Sequence, residues 1–321
     1  MKQKGVLIFA LCCLLAGVSF MIWDMFFRQP EESLNPYAYD MKNIKSGDTV
    51  MPRYTEVQQI KPGLAEIHGI AAGPGDRIFV AGEKGVEIYD PSGKRESAFP
   101  VDGSARCIRV DRNGLIYLGM DDHLEIYGRD GKKLKQWPAS GADAIITSIA
   151  VTDEDIFMAD AGSKIVYRYD HAGNLQKKIG EKDPRDSIPG FVVPSPYFDL
   201  AVGSSGMLWV VNPGRHSFEK FTRDGLLLSS WGKASMAMDG FCGCCNPSNF
   251  AMLSDGSFVT SEKGIERVKV YSPNGEFNCV VAPPGSFNEG TRGLDLAVDS
   301  KDRILVLDPE RKQVRIFVVK R

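Results

Sequence analysis

Histidine is scarce in this chain: four occur in 321 residues, His68, His123, His171 and His216. No Gly-x-Ser-x-Gly turn, no glycine-rich phosphate loop and no paired-histidine zinc motif is present. The chemistries that depend on those spacings therefore lack their residues. Seven cysteines occur, three of them in the run Cys242-x-Cys244-Cys245, which is read as neither the thioredoxin nor the zinc-knuckle signature. An excess of one charge is missing too. Lys and Arg number 39 against 41 Asp and Glu, a net −2, and the longest basic piece, Lys132-Lys133-Leu134-Lys135, reads as a solvated hairpin edge. Nothing here would neutralise a row of phosphates, so no nucleic-acid partner is expected.

Long apolar runs are also rare, and the chain has one: Val6 to Trp23, followed by Asp24, Met25-Phe26-Phe27 and Arg28. It is long enough to cross roughly 30 Å of hydrocarbon. Lys2 and Lys4 precede it, which favours a cytoplasmic N-terminus. No Ala-x-Ala site follows it, and Phe9-Ala10-Leu11 ahead of Cys12-Cys13 is no lipobox, so an uncleaved anchor is expected rather than a signal peptide. The expected organisation is a signal-anchor helix over 1–28 and a proline-bearing linker over 29–53. A globular domain over 54–321 follows, outside the cytoplasm (periplasmic in a bacterium).

What the domain does contain is a repeat. The cores Ile70-Ala71-Ala72, Ile108-Arg109-Val110, Ile149-Ala150-Val151, Leu200-Ala201-Val202, Phe250-Ala251-Met252 and Leu296-Ala297-Val298 recur at intervals of 38 to 51 residues. Four-stranded propeller blades recur at that interval. After each core come a polar turn, a second apolar strand such as Ile116-Tyr117-Leu118, and a third such as Leu124-Glu125-Ile126-Tyr127. Five units then carry a glycine turn, among them Arg129-Asp130-Gly131 and Pro273-Asn274-Gly275. The sixth ends after its third strand. Tyr54–Ile60 resembles the missing fourth, and pairing it with residues 313–319 would close the ring and cover a raw edge. The fold expected is all-β, a six-bladed β-propeller preceded by a single N-terminal transmembrane helix.

These units resemble NHL repeats over roughly residues 54–321. The resemblance rests on the apolar-Ala-Val core, the polar turn, the Asp after the second strand (Asp160 and Asp308) and the third strand ending in an aromatic. Asn212, Glu262, Gly82 and Gly119 stand in the Asp position of the other units. The resemblance implies a scaffold, a ligand binder or, more rarely, an enzyme. Amidating lyases that share it hold zinc through several histidines, which four scattered histidines do not supply. Gluconolactonase-type propellers hold a divalent cation with channel carboxylates and amides, a set that Asp199, Asn249 and Asp295 could imitate in a lactonase-like hydrolase.

In such a ring the residues just ahead of each inner strand surround the channel: His68, Cys107, Ser148, Asp199, Asn249 and Asp295. Two long loops are expected on the same face, Glu181–Pro196 with its apolar Phe191 and Gly232–Pro247. A protein partner or small ligand would meet His68, Asp199, Asn249, Asp295, Arg215 and Phe191. Cys242-x-Cys244-Cys245 leads into the fifth inner strand and could approach Cys107. Disulfides, a soft metal ion or cluster on Cys107, Cys242, Cys244 and Cys245, and thiol redox chemistry all remain open. The principal reading is a binding scaffold without catalysis. A metal or redox accessory is the alternative.

Overall fold

The computed structural model describes residues 52–320 apart from 139, 140, 142, 183–189 and 244, together with Gly5, Leu14, Leu15, Gly17, Val18, Ser19 and Trp23. Two compact units result, residues 1–42 and 43–321. In the first, the described residues are helical. Among the described residues no helix is long and apolar enough to cross a membrane. Most of the apolar run, and nearly all of the linker over 29–53, lie outside the described residues.

The second unit is a six-bladed β-propeller. It begins with β1 (Tyr54–Ile60). Blade one is β2 (Ile67–Gly73), β3 (Arg77–Tyr89) and β4 (Arg95–Ser104). Here one long strand fills both middle positions: its first half pairs with β2 and its second with β4. The reversal is at Lys84, whose φ is +57°. Blade two is β5 (Cys107–Val110), β6 (Ile116–Gly119), β7 (Leu124–Tyr127) and β8 (Lys133–Trp137). Blade three is β9 (Ile146–Val151), β10 (Ile156–Asp160), β11 (Ile165–Tyr169) and β12 (Leu175–Ile179). Blade four is β13 (Leu200–Val202), β14 (Leu208–Asn212), β15 (Ser217–Phe221) and β16 (Leu227–Gly232). Blade five is β17 (Asn249–Met252), β18 (Phe258–Glu262), β19 (Arg267–Tyr271) and β20 (Phe277–Ala282). Blade six is β21 (Leu296–Val298), β22 (Ile304–Asp308) and β23 (Gln313–Val319), completed by β1.

β1 runs antiparallel to β23, from Tyr54 opposite Val319 to Ile60 opposite Val314. Tyr54 and Ile60 are both buried, and Arg315 pairs with Glu56 at 2.5 Å across the seam. On the turn side of the ring, Asp76 of blade one accepts hydrogen bonds from the Ser300 amide and hydroxyl of blade six, at 2.9 and 3.0 Å.

Blades stack face to face, so a middle strand is covered on both sides and has no polar face to offer. That is why β6, β10, β14, β18 and β22 are buried at every position; all but β18, which reads Phe-Val-Thr-Ser-Glu, are apolar up to their last residue. The rim strands β8 and β12 are exposed along nearly their whole length, and there the lysines collect. The core accordingly lies between blades. Its largest part joins blades three, four and five around Phe218, which stacks on Trp231 at 4.5 Å and meets Phe250 edge-on at 5.0 Å. Such aromatic pairs stabilise by about 0.5–1.5 kcal/mol beyond their area.

In blades three and four the residue closing the second strand fastens the loop that leads into its own blade. Asp160 accepts the Ile145 amide at 2.8 Å, and Asn212 accepts that of Val192 at 3.0 Å. In blade one backbone takes this place. A side chain at Gly82 would collide with the Glu66 carbonyl, which accepts the Glu83 amide at 3.0 Å.

Candidate functional site

Each inner strand starts at the channel, so the residue ahead of it can reach its neighbours on both sides. Asp199 accepts the Leu200 amide of its own blade at 2.8 Å, the Ser148 hydroxyl of blade three at 2.5 Å and the Phe250 amide of blade five at 2.7 Å. Asp295 accepts the Leu296 amide at 2.9 Å and the Ile70 amide of blade one at 2.8 Å. Asn249 approaches Asp295 with its amide nitrogen at 3.5 Å. These side chains connect the inner strands of blades three, four, five, six and one.

Burial pushes the Asp199 carboxyl up to about 6, against the pull of its hydrogen bonds. Burial, reinforced by the charge of Asp199, pushes Asp295 up to about 7. The surroundings of Arg109, on β5, lower its proton affinity by desolvation while the charge of Asp199 raises it. Each of the four carboxylate oxygens already accepts a backbone amide, from its own strand at one oxygen and from the next blade at the other. Among the described residues no group of three or more His, Cys, Asp or Glu is arranged to hold a metal ion. The set Asp199, Asn249 and Asp295 thus ties neighbouring blades together at the channel.

Above this ring the channel opens into a cavity of about 420 Å³, with walls drawn from all six blades. His68 on the blade-one wall lies 3.5 Å from Glu66, and burial lowers its proton affinity despite that carboxylate. Arg106 and Asp121 of blade two form an ion pair with each other. Tyr197, at the end of the Glu181–Pro196 loop, has the Lys263 ammonium 4.6 Å from its ring centroid. Lys263 also donates to the Ser195 hydroxyl at 3.0 Å. Burial raises the Tyr197 phenol, and the charge of Arg292 works the other way. Asn249 joins the two levels, for it lines the cavity and reaches down to Asp295.

His68 and Asn249 therefore stand at the mouth, and Asp199 and Asp295 form the ring beneath it. The other expected site residues do not converge there. Phe191 is buried against Phe198 and Phe221, at 5.0 and 5.7 Å. It anchors its loop from within and is no accessible contact, because Gly180 leaves open the space its ring fills. Arg215 sits in the short turn after β14, 3.8 Å from Glu219, and does not line the cavity.

Cys107 does not face the channel. Its cross-strand neighbour is Gly119, and the sulfur occupies the room that a side chain there would need, against Ile146 between blades two and three. Burial pushes this thiol well above its ordinary range. Cys242 lies instead on blade five, its amide 3.5 Å from Glu262, and burial followed by that carboxylate raises its thiol as well. Cys245 is buried, and its charge would act on Tyr197. Cys244 lies outside the described residues. Cys107 and Cys242 are thus held by different blades in different surroundings.

The Gly232–Pro247 loop is fastened by charges that reading along the chain did not identify. Glu262, Arg267 and Lys269 are almost wholly buried. Arg267 and Lys269 reach one Glu262 oxygen at 2.8 and 2.7 Å. Lys269 also donates to the Gly240 and Met238 carbonyls, at 2.6 and 3.1 Å, and Arg267 to those of Gly240 and Ala237. Lys269 rests over Phe241, 4.6 Å from the ring centroid. The loop turns its carbonyls inward onto two cations. Glu87, Glu125 and Arg315 occupy the corresponding third-strand position elsewhere, each buried beside an opposite charge. A polar residue at one register in successive units was the available signal. Arg109, Tyr197 and Arg292 were also missed, since nothing local marks them.

No family model matches the sequence, and no curated protein matches it. Solved structures of similar fold include a streptogramin B lyase, with TM-score 0.59 and 12% identity, covering 83% of this chain and 98% of that one. Virginiamycin B lyase from Staphylococcus aureus has the same TM-score and identity over 83% of this chain and all of the other. A Bacteroides thetaiotaomicron protein of unknown function reaches TM-score 0.62 at 13% identity, over 84% of this chain and 73% of that one. At such identities the likeness concerns the fold. The chain is a six-bladed β-propeller, consistent with the NHL type.

Proposed function

We propose that this protein is a binding module that takes a small polar ligand in the mouth of its channel, tethered outside the cytoplasm by the apolar run Val6–Trp23. The observation carrying the reading is the cavity of about 420 Å³ walled by every blade. Its size and mixed lining suit a small molecule. Among the described residues His68 on the cavity wall has Glu66 as its neighbour, at 3.5 Å. At 12% identity the lyases of similar fold supply a likeness of fold alone. Tethering is supported by Lys2 and Lys4 ahead of the apolar run.

A thermal-shift screen of small polar metabolites, charged and neutral, against the full chain in detergent tests the binding. Ser104→Trp fills the cavity from its wall. Compounds that raise the melting temperature should lose their effect in that variant. If no compound acts through the mouth, the reading fails. Cell fractionation tests the tether. The full chain should sediment with membranes and residues 43–321 should not.

A further inference from the structure

We infer that the ligand of the channel mouth is a small organic anion, met by Arg292 and Lys263 beside Tyr197. The inference rests on the binding reading above and names the ligand class. It follows from an account of charge at the mouth. Arg106 is matched by Asp121. Glu66 lies 3.5 Å from His68, whose proton affinity burial lowers, so it stands on the blade-one wall as a carboxylate without a full counter-charge. Arg292 lines the cavity, is exposed, and has no hydrogen-bonding or ion-pair partner among the described residues. Lys263 is half-buried and contacts a hydroxyl and an aromatic face but no carboxylate. Two cations without a counter-charge among the described residues thus lie near one tyrosine of the wall: Arg292, which lines the cavity, and Lys263, which touches the Tyr197 ring without itself lining it.

A cation with no carboxylate in contact is completed by water or by an anion. A bound carboxylate or phosphate would accept charge-assisted hydrogen bonds from both, and the walls would strengthen each by excluding solvent. The Tyr197 ring beside them offers an apolar surface for the carbon part of the ligand. An inorganic anion would use the cations alone, whereas an organic one would also use the ring.

Calorimetric titration of the full chain in detergent, at fixed ionic strength, tests the inference with five probes: succinate, benzoate, inorganic phosphate, and the uncharged succinamide and benzamide. One-to-one saturable binding of a carboxylate, weakening as salt rises, is expected. Arg292→Gln and Lys263→Met should each weaken it at least tenfold, and Arg292→Lys should retain most of it. Arg112→Gln, on an exposed cation paired with Asp153 away from the mouth, should leave it unchanged. Unaltered melting curves would show that the variants fold.

Saturable binding of phosphate alone would overturn the organic part of the inference, and wild-type affinity in both charge-removing variants would overturn all of it. Should only the neutral amides bind, the mouth remains a binding site and the anion assignment falls. If no probe binds and the metabolite screen is also silent, both fall together.

Discussion

Asp199 of blade four accepts the backbone amide of Phe250, the first apolar residue of the blade-five inner strand, at 2.7 Å. One carboxylate thereby fixes the separation of two blades at the channel wall. Asp199→Ala would leave the Phe250 amide without its acceptor, and the Leu200 amide and Ser148 hydroxyl with only their longer contacts to each other's residue, at 3.3 Å. A loss of about 2–4 kcal/mol in urea unfolding is expected, the cost of stranding buried donors. An unchanged midpoint would show that channel water replaces the carboxylate fully.

Asp295 gives a dependence on pH. Its folded proton affinity is raised, to about 7, so between about pH 4 and 7 the native state binds more protons than the unfolded chain. Stability from this group is complete at the acidic end and is lost as pH climbs through 7. Asp295→Asn should flatten that decline by on the order of 2 kcal/mol. Unfolding midpoints measured from pH 5 to pH 8 would reveal it, and identical slopes in both proteins would refute it.

Gly119 and Cys107 share one volume. Gly119→Ala places a methyl on the sulfur of Cys107 and should cost about 1–3 kcal/mol. Cys107→Ala removes the obstruction, so the double variant should be more stable than the sum of the two changes implies. A coupling of about 1 kcal/mol or more is expected. Simple additivity would mean that the sulfur moves aside freely.

The buried charges of blade five should respond unequally to substitution. Glu262→Gln leaves Arg267 and Lys269 without their counter-charge, and a loss of about 3–5 kcal/mol is expected. Lys269→Met preserves the Glu262–Arg267 pair and should cost less. In Glu262→Gln, limited proteolysis should cut first within residues 232–248, the segment these cations hold. Equal losses in the two variants would contradict this account.

Much of the architecture is legible in the chain because a blade is a local object. Its strands follow one another, and burial on both faces writes the middle strand as a continuous apolar run, as in Leu208–Asn212. The site is less legible because it is assembled across blades. Asp199 and Asp295 could be placed at the channel from register alone, yet their ties to Phe250 and Ile70 depend on neighbours about 51 and 225 positions away. Cys107 was expected inside the ring, but the absent side chain at Gly119 draws its sulfur outward. Phe191 was expected at a loop tip, but the gap at Gly180 takes its ring inward. A missing side chain decides the direction of another one, and no motif reports that.

The seam between β1 and β23 has a consequence for synthesis. Glu56 and Arg315, which pair across it, are 259 positions apart. At about 5–20 residues per second, ribosomes need on the order of ten to fifty seconds to make that span. For that time the earliest strand of the ring has no partner, and its exposed edge is open to mispairing. Stripping β1 by starting the chain at residue 62 should therefore leave a product that aggregates on size-exclusion chromatography. The nascent chain is exposed to the same hazard until its last strand emerges.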